Sequence, residues 1–172
     1  MPLSSDYTTQ ACSLARTLEI VGERWTLLIV RDAFYGVRSF GHFAGHLGIP
    51  RAVLTERLNA LVDAGVLERV PYGARSHYAL TDKGVSLWRP VYALTQWGDD
   101  HYAAKGPRRL FLHADDDGLL DANRACAVCG HVAAPAETLV APGPGLDRAT
   151  EDREPVGRAL LTPHRLLEPL LS

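Results

Sequence analysis

Apolar residues fall into short helical stripes up to about residue 104, after which the texture changes. Residues 12–21 place Leu14, Leu18 and Val21 on one helical face before Gly22 breaks the run. Trp25–Tyr35 is apolar nearly all round, which predicts a helix at the domain centre, ended by Gly36. Ser39 can cap a short helix carrying Phe40, Phe43, Ala44 and Leu47. Gly48 stops it, Ile49 plugs the corner, and Pro50 suits the first turn of a further helix, where a missing N–H is harmless. In that helix Leu54, Leu58 and Leu61 keep the i, i+4, i+7 spacing of one buried face, and Gly65 ends it. Val66, Leu67, Val70 and Tyr72, a Gly73-Ala74-Arg75-Ser76 tip, and then His77, Tyr78 and Leu80 read as a β-hairpin with a basic end. Thr81 can cap a long helix with Leu87, Val91, Leu94 and Trp97 on one stripe, fading near Ala104.

A tight helix pair beside a basic hairpin is the outline of a winged helix-turn-helix. The fold class is therefore mainly α with a small β-hairpin, and the long helix after the wing suits dimerisation. Such a unit sets its second helix in the major groove and its hairpin tip near flanking phosphates or the minor groove, so the pattern names double-stranded DNA as partner. With Leu54 and Leu58 inward, that helix points Ala52, Thr55, Glu56 and Asn59 outward, and Arg51 can reach past its end. Thr and Asn can read base edges, Arg can take guanine or phosphate, and Glu can accept from cytosine. Arg75 is expected on phosphate; His77 could join it or pack beneath the wing.

Gly106 and Pro107 mark a boundary between a winged-helix unit, 1–105, and a C-terminal extension, 106–172. In the extension Arg109–His113 reads as a strand and Asp115–Asp117 as an acidic turn. Cys126-Ala-Val-Cys129-Gly130 reads as a knuckle, Pro-Gly-Pro-Gly opens a charged linker, and residues 160–171 form an apolar final segment. Two thiolates on a tight turn can bind one Zn²⁺, and His113 and Asp116 are spaced as a first knuckle would be, with Asp in place of a second cysteine. His131 is a spare ligand. A metal-free remnant and a reversible disulfide are the alternatives. A thioredoxin-like site is disfavoured, because the C-x-x-C does not open a helix after a strand.

The chain has 172 residues, net charge -2 and a pI near 6.4, which argues against a strongly basic coating protein. Basic residues still outnumber acids between Arg31 and Tyr78, helped by His42, His46 and His77. No signal-peptide pattern and no apolar run of about 20 residues occurs, so a cytoplasmic protein with no membrane partner is expected. Cys12 heads the first helix, where the dipole can lower a thiol pKa, although a small apolar role is the simpler reading. Leu14 and Leu18 with Trp88, Tyr92 and Trp97 give more apolar surface than one small domain fills, which predicts a homodimer. No catalytic constellation stands out, and no enzyme is expected.

These residues carry a family likeness. The chain resembles the HxlR-type winged-helix transcriptional regulators, close to the MarR type. The matching elements are Cys12, Gly22-Glu-Arg-Trp25, Arg38-Ser-Phe40, Leu47-Gly-Ile49 and Leu54-Thr-Glu-Arg-Leu58 with Leu61 and Gly65. Tyr78-Ala-Leu-Thr-Asp-Lys-Gly84 and Trp97-Gly98 complete the series. The extension is similar to one in actinobacterial members, whose first knuckle has Cys where this chain has Asp116. The wing has Gly73-Ala-Arg-Ser in place of the common Pro-Pro-Arg tip. The resemblance implies a dimeric regulator that binds an operator and answers a small-molecule, electrophile or redox signal, with Cys12 at the position where some relatives sense oxidants. The expected DNA-facing set is Arg38, Pro50, Arg51, Ala52, Thr55, Glu56, Asn59, Arg75 and His77. The rival reading is a small-molecule-binding or protein-interaction module that kept the fold and reads DNA poorly.

Overall fold

The computed structural model describes Tyr7 and residues 10–171. Helix α1 spans Ser13–Val21, α2 Thr26–Phe34, α3 Phe40–Leu47 and α4 Arg51–Asp63. Strands β1, Leu67–Tyr72, and β2, Arg75–Leu80, form an antiparallel hairpin in which Leu67 pairs with Leu80 and Tyr72 with Arg75. A single turn of helix, α5 (Asp82–Val85), precedes the long α6 (Trp88–Tyr102). The extension adds β3 (Arg109–His113), β4 (Thr138–Pro142), the short helices α7 (Arg148–Glu151) and α8 (Pro155–Ala159), and β5 (His164–Arg165). Its three strands form one antiparallel sheet ordered β3-β4-β5.

The nearly all-apolar α2 is the hub. Ile29, Val30 and Phe34 are fully buried, as is the one acid in that run, Asp32. Leu54 and Leu58 of α4 and Phe43 of α3 close over it, so the stripe spacing places the helix pair against the core as expected. Burial of an aliphatic side chain of this size stabilises by about 1.5–3 kcal/mol.

Winged-helix unit and extension share this core. Phe111, Leu120, Val140, Val156, Leu160 and Leu166 belong to the same buried cluster as α2 and α4. The final segment runs alongside the end of α2, where Leu167 N–H donates to Phe34 O and Leu170 N–H to Gly36 O. Gly36 sits at φ 86, and a Cβ there would lie 1.8 Å from the Glu168 carbonyl, so glycine is required for the approach.

Four expectations need correction. Trp88 and Tyr92 do not face outward for a partner: they are 2% and 1% exposed, with Phe111 ring centroids 5.3 and 5.2 Å away. Trp88 and Tyr92 are covered by Phe111 of the extension, which a winged helix considered alone does not include, while Trp97 stays 54% exposed. The long helix does not start at Thr81; that residue caps α5, and the chain re-enters helix at Trp88. Pro50 precedes the first turn, as the N-cap, with φ -56 and ψ 132. The charged linker folds into two short helices, α7 capped by Asp147 and α8 by Glu154.

Candidate nucleic-acid interface

The helix pair is set by local chemistry. The Ser39 hydroxyl accepts from His42 N–H at 3.2 Å and starts α3; Gly48, left-handed at φ 60, ends it. A buried ion cluster fixes the angle between α2 and α3: Asp32 Oδ2 meets His46 Nδ1 at 2.7 Å, and Asp32 Oδ1 accepts from Arg31 Nη2 at 2.7 Å. Burial alone would raise the Asp32 carboxyl, but Arg31 and His46 outweigh it and hold the pKa below its ordinary value. The sequence signal for this cluster was a lone acid inside an apolar helix.

On α4, Leu54, Leu58 and Leu61 face the core while Arg51, Ala52, Thr55, Glu56 and Asn59 are exposed together. Arg51 lies over the Phe40 ring, 4.8 Å from its centroid, so the guanidinium is held at the leading end of the helix. Thr55 donates to Arg51 O at 2.9 Å and keeps its oxygen lone pairs free. Glu56 pairs with Arg57 at 2.8 Å. Asn59 accepts from Arg69 of the wing, which leaves its amide N–H groups to offer. Arg69 had escaped notice because a strand residue flanked by Glu68 and Val70 gives no periodic signal.

The wing turns on two residues, Gly73 and Ala74, with Gly73 at φ 56, so Arg75 and Ser76 lie in β2 and not in the tip. Arg75 is exposed at the strand start. His77 stacks on Tyr72, centroids 4.0 Å apart and planes 14° apart. Burial, then Arg38 and His42, push the His77 pKa down, favouring its neutral form. Between the wing and the head of α3 runs a groove of about 660 Å³ lined by Ser39, His42, Arg69, Tyr72, Arg75 and His77. Arg38, half-buried, donates through Nη2 to Leu167 O at 3.2 Å and so ties the final segment to the helix pair. The other eight residues of the expected set lie on α4, at its head or on the wing.

Cys12 is exposed at the N-cap of α1, where the N–H groups of Ala15 and Leu14 lower its thiol pKa. In the extension His113, Asp116, Cys126 and Cys129 converge, each offering one ligand atom within 4.8 Å of the others. Hydrogen bonds from the thiols of Cys129 and Cys126 and from Gly118 N–H hold the Asp116 carboxyl well below the usual carboxylate range; the same Asp116 contact pushes the Cys129 thiol up to about 11. His131, the spare, pairs with Glu137 at 2.9 Å.

The model of the HxlR-like helix-turn-helix family matches residues 20–106, from the end of α1 through α6. The HTH-type transcriptional regulator Rv3095 of Mycobacterium tuberculosis is 43% identical over 137 residues, 77% of this chain and 87% of that protein. The chain belongs to the HxlR family of helix-turn-helix transcriptional regulators. A cyanobacterial relative from Synechocystis, sll1512, is also an HTH-type transcriptional regulator and is 28% identical over 97 residues, 54% of this chain and 72% of its own. Among solved structures, PA1607, a candidate transcription factor, superposes with a TM-score of 0.62 at 37% identity, over 72% of this chain and 89% of that one.

HxlR membership places this protein among DNA-binding transcriptional regulators and not enzymes. The 137 residues shared with the mycobacterial regulator exceed the 87 covered by the HxlR model, so that likeness runs beyond the helix-turn-helix unit. Among the described residues, no helix of this HxlR chain is long and apolar enough to cross a membrane.

Proposed function

We propose that the protein works as a cytoplasmic homodimer on a two-fold operator, with α4 in the major groove and the wing on the flanking backbone. The observation that carries this reading is the α4 face itself. Arg51, Thr55 and Asn59 stand exposed on one side of a helix whose opposite side is fully buried, with Arg69 and Arg75 beside them. Arg51, Thr55 and Asn59 supply base-reading groups, and Arg75 supplies a phosphate contact.

Support for the dimer comes from apolar residues that the extension leaves uncovered. Leu14 is 64% exposed on α1, and on α6 Leu94 is 53% and Trp97 54% exposed. Pairing through these helices would set the two α4 helices one DNA turn, roughly 34 Å, apart.

Two features are placed to receive a signal. Cys12 is an accessible thiol with a lowered pKa at the head of α1. A cleft of about 470 Å³ between α2 and α6 is lined by Leu27, Leu28 and Leu94, with Arg24, Arg31, Arg108 and Arg109 against one acid, Asp99, a net basic setting for a small organic anion. Either input would act by altering the spacing set by the α1 and α6 face. Mobility shift of DNA upstream of the protein's own gene, with light scattering at micromolar concentration, tests the reading. A salt-dependent shift by a dimer is expected; a strict monomer, or no shift on that DNA or on a selected pool, would overturn it.

A further inference from the structure

The segment between β3 and β4, residues 114–137, has to be held by something other than regular structure. Apart from the short 3₁₀ turn Pro135–Glu137, it contains three isolated bridges, Leu112 with Leu119, Leu120 with Cys126, and Ala125 with Val132. Yet it is a fixed part of the core. Leu120 and Cys126 are 4% and 3% exposed, and the Tyr92 hydroxyl donates to Leu120 O at 3.2 Å and Asp121 O at 2.8 Å. An irregular segment whose only buried apolar side chains are Leu120, Cys126 and Ala133 calls for a staple.

The donor geometry supplies one. His113 Nδ1 is 3.1 Å from Asp116 Oδ1 and 3.4 Å from Cys129 Sγ, and Cys126 Sγ is 3.1 Å from Asp116 Oδ1. Donors at about 2.0–2.3 Å from a tetrahedral zinc lie roughly 3.3–3.8 Å from one another, so the three close contacts need to open by a few tenths of an ångström and the remaining pairs, all within 4.8 Å, to close by about 1 Å at most. Two thiolates, an imidazole and a carboxylate form a borderline-soft set that suits Zn²⁺ better than Mg²⁺ or Ca²⁺. The surroundings are built for anionic ligands. Val128 N–H donates to Cys126 Sγ at 3.4 Å and Gly118 N–H to Asp116 Oδ1 at 3.0 Å. Gly118 must be glycine, because a Cβ there would lie 2.2 Å from Cys126 Sγ. Gly130, at φ 74, closes the knuckle by donating to Cys126 O at 2.8 Å. His113 and Cys126 are 5% and 3% exposed while Cys129 lies at the surface, and four protein donors leave no open coordination position, as in structural zinc centres.

We propose that His113, Asp116, Cys126 and Cys129 bind one structural Zn²⁺, and that this ion clamps the extension onto α6 and so onto the DNA-reading unit. The path is short. His113 ends β3 two residues after Phe111, which packs on Trp88 and Tyr92, and the Tyr92 hydroxyl reaches the stretch between the two knuckles. The site is independent of how DNA is read, and its failure would leave the operator reading intact.

The full chain, purified without chelator, is expected to carry about one equivalent of zinc by elemental analysis. After chelation, Co²⁺ added alone should give thiolate-to-cobalt charge-transfer absorption that saturates at about one equivalent. Asp116→Ala and Cys129→Ser should weaken zinc binding more than about tenfold; His131→Ala should leave it unchanged, and Asp116→Cys should retain it. Hydrogen exchange of the wild-type chain should show faster exchange in residues 114–134 and in α6 once zinc is removed. Less than about a tenth of an equivalent of metal together with no cobalt charge-transfer band would overturn the site. Unchanged α6 exchange on removal would overturn the clamp.

Discussion

Replacing Tyr92 with Phe removes one oxygen and leaves the ring. The aromatic contacts with Trp88, 5.6 Å between centroids, and with Phe111 at 5.2 Å are retained. What disappears is the hydroxyl donor to Leu120 O and Asp121 O, in a residue 1% exposed. That buried environment pushes the Tyr92 pKa up to about 12, with Asp121 adding to the rise, so the hydroxyl is a protonated donor throughout the working pH range. Losing one partner and leaving a buried acceptor unpaired costs about 1–3 kcal/mol. For a chain of this length each kcal/mol moves the melting midpoint by roughly 2–4 °C. Calorimetry of wild type and Tyr92→Phe at the same metal loading measures the shift. One shared core predicts a single transition that moves as a whole. An unchanged midpoint, or two transitions of which only one moves, would refute the claim that the extension and the winged-helix unit are joined through this bond.

Further outcomes follow from other sites. Leu58→Ala empties a fully buried position under α4 and should cost about 2–5 kcal/mol in denaturant titration, with DNA binding lost only where the fold is lost. Asp32→Asn removes the anion between Arg31 and His46 and should cost about 3–5 kcal/mol at neutral pH. Because the folded Asp32 carboxyl titrates below its unfolded value, near 3.9, its contribution is full well above that pH and fades as pH falls through the folded pKa. The stability gap between wild type and Asp32→Asn should therefore narrow on acidification, and a gap independent of pH would count against the cluster. Cys12→Ser should abolish any change in operator affinity caused by diamide; a mutant that responds as wild type does would remove Cys12 as the sensor.

Much of this architecture is written in local signals. Ser39 and Gly48 act where their capping chemistry says they should, and Leu54, Leu58 and Leu61 bury the face their spacing defines. The convergence of His113 and Asp116 with the Cys126 and Cys129 knuckle was also legible, since each pair has its own short spacing. What escaped were features decided by distant packing. Trp88 and Tyr92 carry the same periodic signature whether a second copy or the chain's own β3 covers them. The bond from Arg38 to Leu167 O joins residues 129 positions apart, beyond the reach of any local pattern. Helices α7 and α8 are too short for periodicity, and only Asp147 and the Glu154-Pro155 pair announce them.

The placement of the DNA face is tested most directly by fluorescence anisotropy on a selected operator across 50–200 mM salt. Wild type, Arg51→Ala and Arg75→Ala are compared. Arg75→Ala should weaken binding to all sequences and reduce the salt slope by about 0.9, the signature of one lost phosphate contact. Arg51→Ala should cost about 1–3 kcal/mol on the operator and relax preference at one base pair. If both variants bind the operator with wild-type affinity at physiological salt, α4 and the wing are not the DNA-reading surface.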